Sequence, residues 1–178
     1  MKLQENEEKF RELILYISQR CGNDPKFGAT KLNKILYFSD FFQYARSGKA
    51  ITNFEYQKLP NGPAPRRLLP VRNKMINERM LGLQGVALWN GNTQHRTVNL
   101  RAPNLSVFTA DEISMVDRVI EGLSGADAEA VSNLSHTMVG WKVVQQGETI
   151  PYGTVFLSDE PLSLAELQRG MELERLAS

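Results

Sequence analysis

Between residues 31 and 48 apolar side chains recur around almost the whole circumference of a helix, and such a stretch predicts a central, buried helix. Leu32, Ile35, Leu36, Ser39 and Phe42 fall on one face, widened by Phe38 and Ala45, while Tyr37, Phe41 and Tyr44 form an aromatic face opposite. Only a strip with Asn33 and Asp40 is left for water. Thr30 is placed as the N-cap, and Gly48 as the left-handed residue that ends the helix. The aromatics have two possible roles: all are core, or Tyr37 and Tyr44 stand at a partner-facing edge. Leu36 and Phe42 are both expected in the core, where truncation to alanine costs roughly 2–5 kcal/mol.

The rest of the chain reads as shorter elements around this helix. Phe10, Leu13, Ile14, Ile17 and Cys21 share one helical face in residues 5–21, with Glu5, Glu7 and Glu8 at the positive end of the helix dipole and Arg20 at the other. Cys21 belongs to the apolar stripe and is expected as a buried thiol. Residues 51–59 alternate as an extended segment, with Phe54, Tyr56 and Lys58 on one side. In 60–65 three prolines surround Gly62, which excludes helix and central strand and predicts a rigid turn. That turn is either a binding loop or a connector with Pro65 at the first position of the next helix.

Residues 66–79 predict a helix kinked or restarted at Pro70. Arg66, Arg67, Arg72, Lys74 and Arg79 against Glu78 make it the most basic stretch, either a solvated face or a landing site for an acidic partner or nucleic acid. The runs 86–89 and 94–100 flank Asn90-Gly-Asn-Thr93, a hairpin signal. The extended segment is a candidate third strand, since a lone hairpin is marginal in water. His95 has no ligand-spaced histidine or cysteine beside it.

Further on, Thr109 and Glu112 form a capping box with Phe108 and Ile113 as its staple. The helix they open buries Ile113, Val116, Ile120 and Leu123. A weaker cap at 124–127 opens a helix that turns Val131, Leu134 and Met138 inward. Ser163 and Glu166 repeat the box, with Leu162 against Leu167, before a last helix over 163–176. The fold class is therefore α+β and predominantly helical, about six helices around a central buried one with a small antiparallel hairpin or sheet. At 178 residues the chain suits one domain.

Charge is nearly balanced, 21 basic against 20 acidic side chains, so no whole-molecule field favours nucleic acid or an anionic membrane. One cysteine forms no internal disulfide, and with no signal-like apolar stretch the expected compartment is a reducing cytoplasm. No window reaches the ~20 apolar residues of a membrane span. Ser135-His136 invites a nucleophile reading, but adjacent side chains on a helix diverge and no orienting acid stands beside them. No phosphate loop, HExxH or CxxC pattern occurs, so no catalytic residue, metal ligand or cofactor is expected.

Lys31-Leu-Asn-Lys-Ile-Leu-Tyr-Phe38, Phe54-Glu-Tyr-Gln-Lys58 and Gly62-Pro-Ala-Pro65 resemble the Panacea domain, the SocA-like antitoxin family of phage-associated proteins. Leu134-Ser-His-Thr137, Gly140-Trp-Lys142 and Ile150-Pro-Tyr152 are similar in order and spacing to that family's C-terminal half, so the resemblance is strongest over 31–157 within a single domain of 1–178. It implies an antitoxin that neutralises a cognate toxin through direct protein contact, with delivery of the toxin to a Clp-type protease as an alternative. Nucleic acid is not the expected partner, although the basic 66–79 helix leaves a regulator as a further alternative. Polar and aromatic residues that the resemblance picks out, but that core packing does not require, are the candidate partner-binding set: Tyr37, Tyr56, Lys58, Pro63, Arg66 and Lys142. The competing reading is an internal network in which Tyr56, Lys58 and Arg66 satisfy one another and fix the turn.

Overall fold

A computed structural model describes residues 4–160, together with Arg169 and Arg175. Apart from those two arginines, the predicted helix over 163–176 and its capping box lie outside the described residues. Helix α1, Glu7–Arg20, starts at Asn6, whose side chain accepts the Lys9 amide at 3.0 Å. Its stripe Phe10, Leu13, Ile14 and Ile17 is buried as expected, and so is Cys21.

Helix α2, Ala29–Ser47, is the central helix, packed by α1 on one side and by later elements on the others. It begins at Gly28 in extended conformation with no side-chain cap, so Thr30 lies inside its first turn and is not the cap. At the other end Gly48 adopts φ 72° and donates its amide to the Tyr44 carbonyl at 2.8 Å, the left-handed stop that favours glycine. Two placements differ from the sequence reading. Asp40 is fully buried, because the chain after α2 folds back across that face, while Phe42 is 38 % exposed. In its last two turns the helix exposes Phe42 and residues 45–47, while Asp40, Phe41 and Gln43 stay buried.

The extended segment does not join the hairpin. Strand β1, Tyr56–Gln57, lies between β2, Ala64–Pro65, and β5, Thr149–Ile150, with Tyr56 opposite both Pro65 and Ile150 in antiparallel register. Pro65 is tolerated because β2 is an edge strand, where no amide is required on the open side. It therefore sits before helix α3, Leu68–Asn77, and not at its first position. Pro70 falls in the first turn of α3, where its missing amide has no intrahelical acceptor to lose, so no kink is needed.

The hairpin is a separate two-stranded sheet of β3, Leu81–Ala87, and β4, Thr93–Asn99, paired from Leu81–Asn99 to Ala87–Thr93. Its loop is residues 88–92, which puts Trp89 at the tip, 98 % exposed, instead of in a strand. The ribbon is held to the core by side chains: Asn99 Nδ2 donates to the Leu15 carbonyl at 2.8 Å and Arg96 to that of Gly22 at 2.9 Å.

Helix α4, Ala110–Gly122, opens with the expected reciprocal box: Glu112 N to Thr109 Oγ1 at 3.2 Å and Thr109 N to Glu112 Oε2 at 2.8 Å. Lys9 of α1 pairs with the same glutamate at 2.6 Å, so the cap also fastens α4 to α1. Helix α5, Ala128–His136, is capped by Asp127. Val131 points inward but Leu134 is 48 % exposed. A short helix α6, Val139–Val143, which the sequence did not signal, leads to β5 and a 3-10 turn at Tyr152–Phe156. The protein is α+β and predominantly helical, with six α-helices and two small antiparallel sheets among the described residues.

Candidate functional site

The segments that carry the sequence motifs converge on the 60–65 turn. Gly62 has φ 91°, and a Cβ there would lie 2.2 Å from Ser135 Oγ and 2.8 Å from Lys34 Nζ. Only glycine satisfies both the backbone and the space. Around it, Lys34 donates to the Pro63 carbonyl at 3.0 Å, Ser132 Oγ to the Asn61 carbonyl at 3.1 Å, and Trp141 Nε1 to the Leu59 carbonyl at 3.3 Å. Helices α2, α5 and α6 thus each supply one clamp to the turn.

Trp141 is covered on its ring by charge and by another aromatic. His136 stacks on it at 4.0 Å between centroids, and Lys58 Nζ lies 4.3 Å from the ring while donating to the Val144 carbonyl at 2.9 Å. Burial, and then the nearby charges of Lys34 and Lys58, hold His136 below its ordinary pKa. Lys34 itself is almost completely buried, and desolvation lowers its pKa to about 8. Ser135 donates to the Ser132 carbonyl at 2.7 Å. Serine and histidine at 135 and 136 therefore face different partners, as their adjacency on a helix requires.

A second polar centre lies under the sheet. Asp40 accepts from the Thr52 amide and from Tyr56 Oη, each at 2.7 Å, and from Thr52 Oγ1. Burial raises the carboxyl above its usual range and these hydrogen bonds oppose the rise. Burial, reinforced by the charge of Asp40, pushes the Tyr56 phenol well up. Tyr152 donates to the Phe54 carbonyl at 2.8 Å and completes the floor. These groups fix how residues 50–56 cross α2.

Against this geometry the six candidate residues separate. Tyr37 is 1 % exposed, tilted against Phe41 and edge-on to Tyr56, so it does not stand at an edge. Tyr56 and Pro63 are buried too. The alternation of the β1 segment explains this: Phe54 and Tyr56 take its inward side, and β2 closes over them. Tyr44 is half-buried against Tyr152 and Phe156. Lys58 is half-buried over Trp141. Arg66 and Lys142 are exposed, but Arg66 bonds the Gly147 carbonyl at 2.8 Å and Thr149 Oγ1 at 3.1 Å, and Lys142 pairs with Asp159. Tyr56, Lys58 and Arg66 do not satisfy one another. Tyr56 ties the 54–66 segment to α2, while Lys58 and Arg66 both tie it to residues 144–149.

Part of the basic stretch is likewise engaged, while Arg72 and Arg79 make no salt bridge among the described residues. Arg67 bonds Glu5 at 2.6 Å and Glu7 at 2.9 Å, Lys74 bonds Glu7 at 3.2 Å, and Glu78 pairs with Arg11. The acidic first turn of α1, read from the sequence as a dipole partner, is also the counter-charge of α3. Lys31 and Lys34 are the residues that sequence reasoning missed. Their signal is two lysines on a helix with no polar face; Lys31 is held by Asp24 at 2.6 Å and the Ala126 carbonyl at 2.9 Å. Burial lifts the Cys21 thiol to about 11. Among the described residues no group of three or more His, Cys, Asp or Glu is placed to hold a metal, and no helix is long and apolar enough to cross a membrane.

The family model described as Antitoxin SocA-like, Panacea domain, matches residues 32–142. The matched region runs from the central helix through the clamped turn to Lys142; it stops short of Ile150–Tyr152, which the sequence resemblance included. Comparison with curated proteins gives no match, and neither does comparison with solved structures. With more than half of its length matched, the chain belongs to the SocA-like antitoxin family and carries its Panacea domain.

Proposed function

We propose that the chain is an antitoxin that neutralises a cognate toxin by direct protein contact, acting in the cytoplasm as one unit over 1–178 and without catalysis of its own. The observation that carries this reading is the family match over residues 32–142. The geometry is consistent with it: the motif residues stabilise a rigid scaffold, and a scaffold of this kind presents preformed surfaces at little entropic cost on binding. A nucleic-acid role is disfavoured by the pairing of Arg67 and Lys74 with Glu5 and Glu7, which leaves those cations less able to release counterions from a phosphate backbone.

Co-expression with each flanking gene product tests the reading. One of them alone should arrest growth, and the chain supplied at equal level should restore it. If no flanking product is toxic, or if arrest persists in the presence of the chain, the antitoxin reading is wrong. Delivery to a Clp-type protease is the alternative outcome, recognised when the toxin disappears from cells in place of accumulating in a complex.

A further inference from the structure

The exposed end of α2 does not stand alone. Phe38 and Phe42, with rings 5.3 Å apart, meet Met115 of α4 and Leu123 at its end, Leu134 of α5 and Met138 between α5 and α6 around an open groove of about 450 Å³. Phe42 and Leu134, at 38 % and 48 % exposure, are large apolar side chains that the fold leaves in water. Gathering them in one concave patch is the usual mark of a binding surface. Methionines at two positions of the wall give it an adaptable shape.

We infer that this groove is the toxin-docking site, and that its occupant is an amphipathic helix of the partner with an acidic residue placed to meet Arg118; the inference rests on the antitoxin reading. Three observations select that occupant. The walls are α2, α4, α5 and the residues Leu123 and Met138 beside them, with no strand among them, so an extended segment would find no strand edge there and would leave its backbone groups unpaired in an apolar trough. A helix satisfies its own backbone. Second, Met115, Val119 and Leu123 repeat every four residues along α4, roughly 12 Å of rise, which matches an occupant of two to three turns with anchors at the same spacing. Third, Arg118 is the one charged residue on the groove wall, and it is exposed. Along α4, Asp117 pairs with Arg20 at 3.1 Å and Asp111 with Arg46 at 3.5 Å; Glu121, one turn beyond Arg118, is exposed but lies off the groove wall, and Arg118 makes no salt bridge among the described residues.

The same charge argues against a second copy as occupant. Two grooves meeting about a two-fold axis would present the same wall to itself, Arg118 included, with no wall carboxylate to separate the cations.

A photo-cross-linking residue at position 134 of the full chain, co-expressed with each flanking gene product, tests the site. The expected result is a cross-link to the neutralised toxin, confined to one peptide with apolar residues at i, i+4 and i+7 or i+8 and an acid among them. Arg118→Glu should weaken the toxin complex at least tenfold, and Leu134→Asp at least a hundredfold, with thermal midpoints close to that of the parent. A cross-link to a second copy, or to residues 161–178 of the same chain, overturns the inference. So does neutralisation that proceeds with no cross-link at 134 or unimpaired by both substitutions, and in that case the antitoxin reading survives. If no flanking product is toxic, that reading falls and the groove inference falls with it.

Discussion

Tyr56 donates its phenolic hydrogen to Asp40 across 2.7 Å in a place where neither residue has any exposed surface. The pair locks the extended segment onto the central helix. Tyr56→Phe leaves the ring in place and removes the donor, so it should cost about 1–3 kcal/mol, the penalty for an under-satisfied buried carboxyl. Urea denaturation measures it: a midpoint equal to the parent's would mean that the pair does not hold the segment.

Gly62→Ala should be far more damaging than one added methyl suggests. The Cβ would collide with Ser135 Oγ, and alanine disfavours φ 91°. We expect a loss of about 2–4 kcal/mol, at the upper end of single-substitution effects. A thermal midpoint within a degree of the parent would show that the turn is free to adjust.

Lys34 gives a pH dependence with a definite sign. Its pKa is lowered by burial to about 8 in the folded protein, below the 10.5 of an unperturbed lysine, so between those values unfolding takes up a proton. This contribution makes the protein more stable as pH rises from about 8 towards 10.5, and the full penalty is present below 8, on the order of 1–3 kcal/mol. Buried tyrosines act oppositely above pH 10, because they ionise only on unfolding. Lys34→Met isolates the lysine: the rise in stability between pH 8 and 10 should be absent. Parallel stability curves for parent and variant would contradict the assignment.

Leu36→Ala and Phe42→Ala separate core from surface on one helix. Leu36 is fully buried, and its truncation should cost roughly 2–5 kcal/mol. Phe42 is 38 % exposed and should cost clearly less, about 1 kcal/mol. Equal losses in denaturant titrations would place Phe42 back in the core.

Sequence periodicity located the helices well because burial on one face imposes it directly. The α1 stripe, the capping box at Thr109 and the stop at Gly48 all express local rules. What it could not deliver was the use of residues whose role depends on contacts distant in the chain. Asp40 reads as a water-facing polar residue until Thr52 and Tyr56 arrive over it. Arg67 and Lys74 read as a free basic face until the first turn of α1 is placed beside them. Phe42 and Leu134 carry the right periodicity for core, but α4 and α5 diverge around them and leave a groove. The burial of three candidate residues, Tyr37, Tyr56 and Pro63, was hidden for the same reason: Tyr56 and Pro63 are distinctive because they build the turn, and distinctiveness in sequence does not separate a scaffold from a contact surface.

Growth rescue in cells that lack the Clp-type proteases tests direct neutralisation most sharply. With the toxin from the flanking gene induced, the account predicts that the chain at equimolar level restores growth to the same extent with and without the protease, and that toxin and chain elute together as one complex. Rescue that vanishes in the protease-deficient cells, with the toxin free in the same extract, would contradict it.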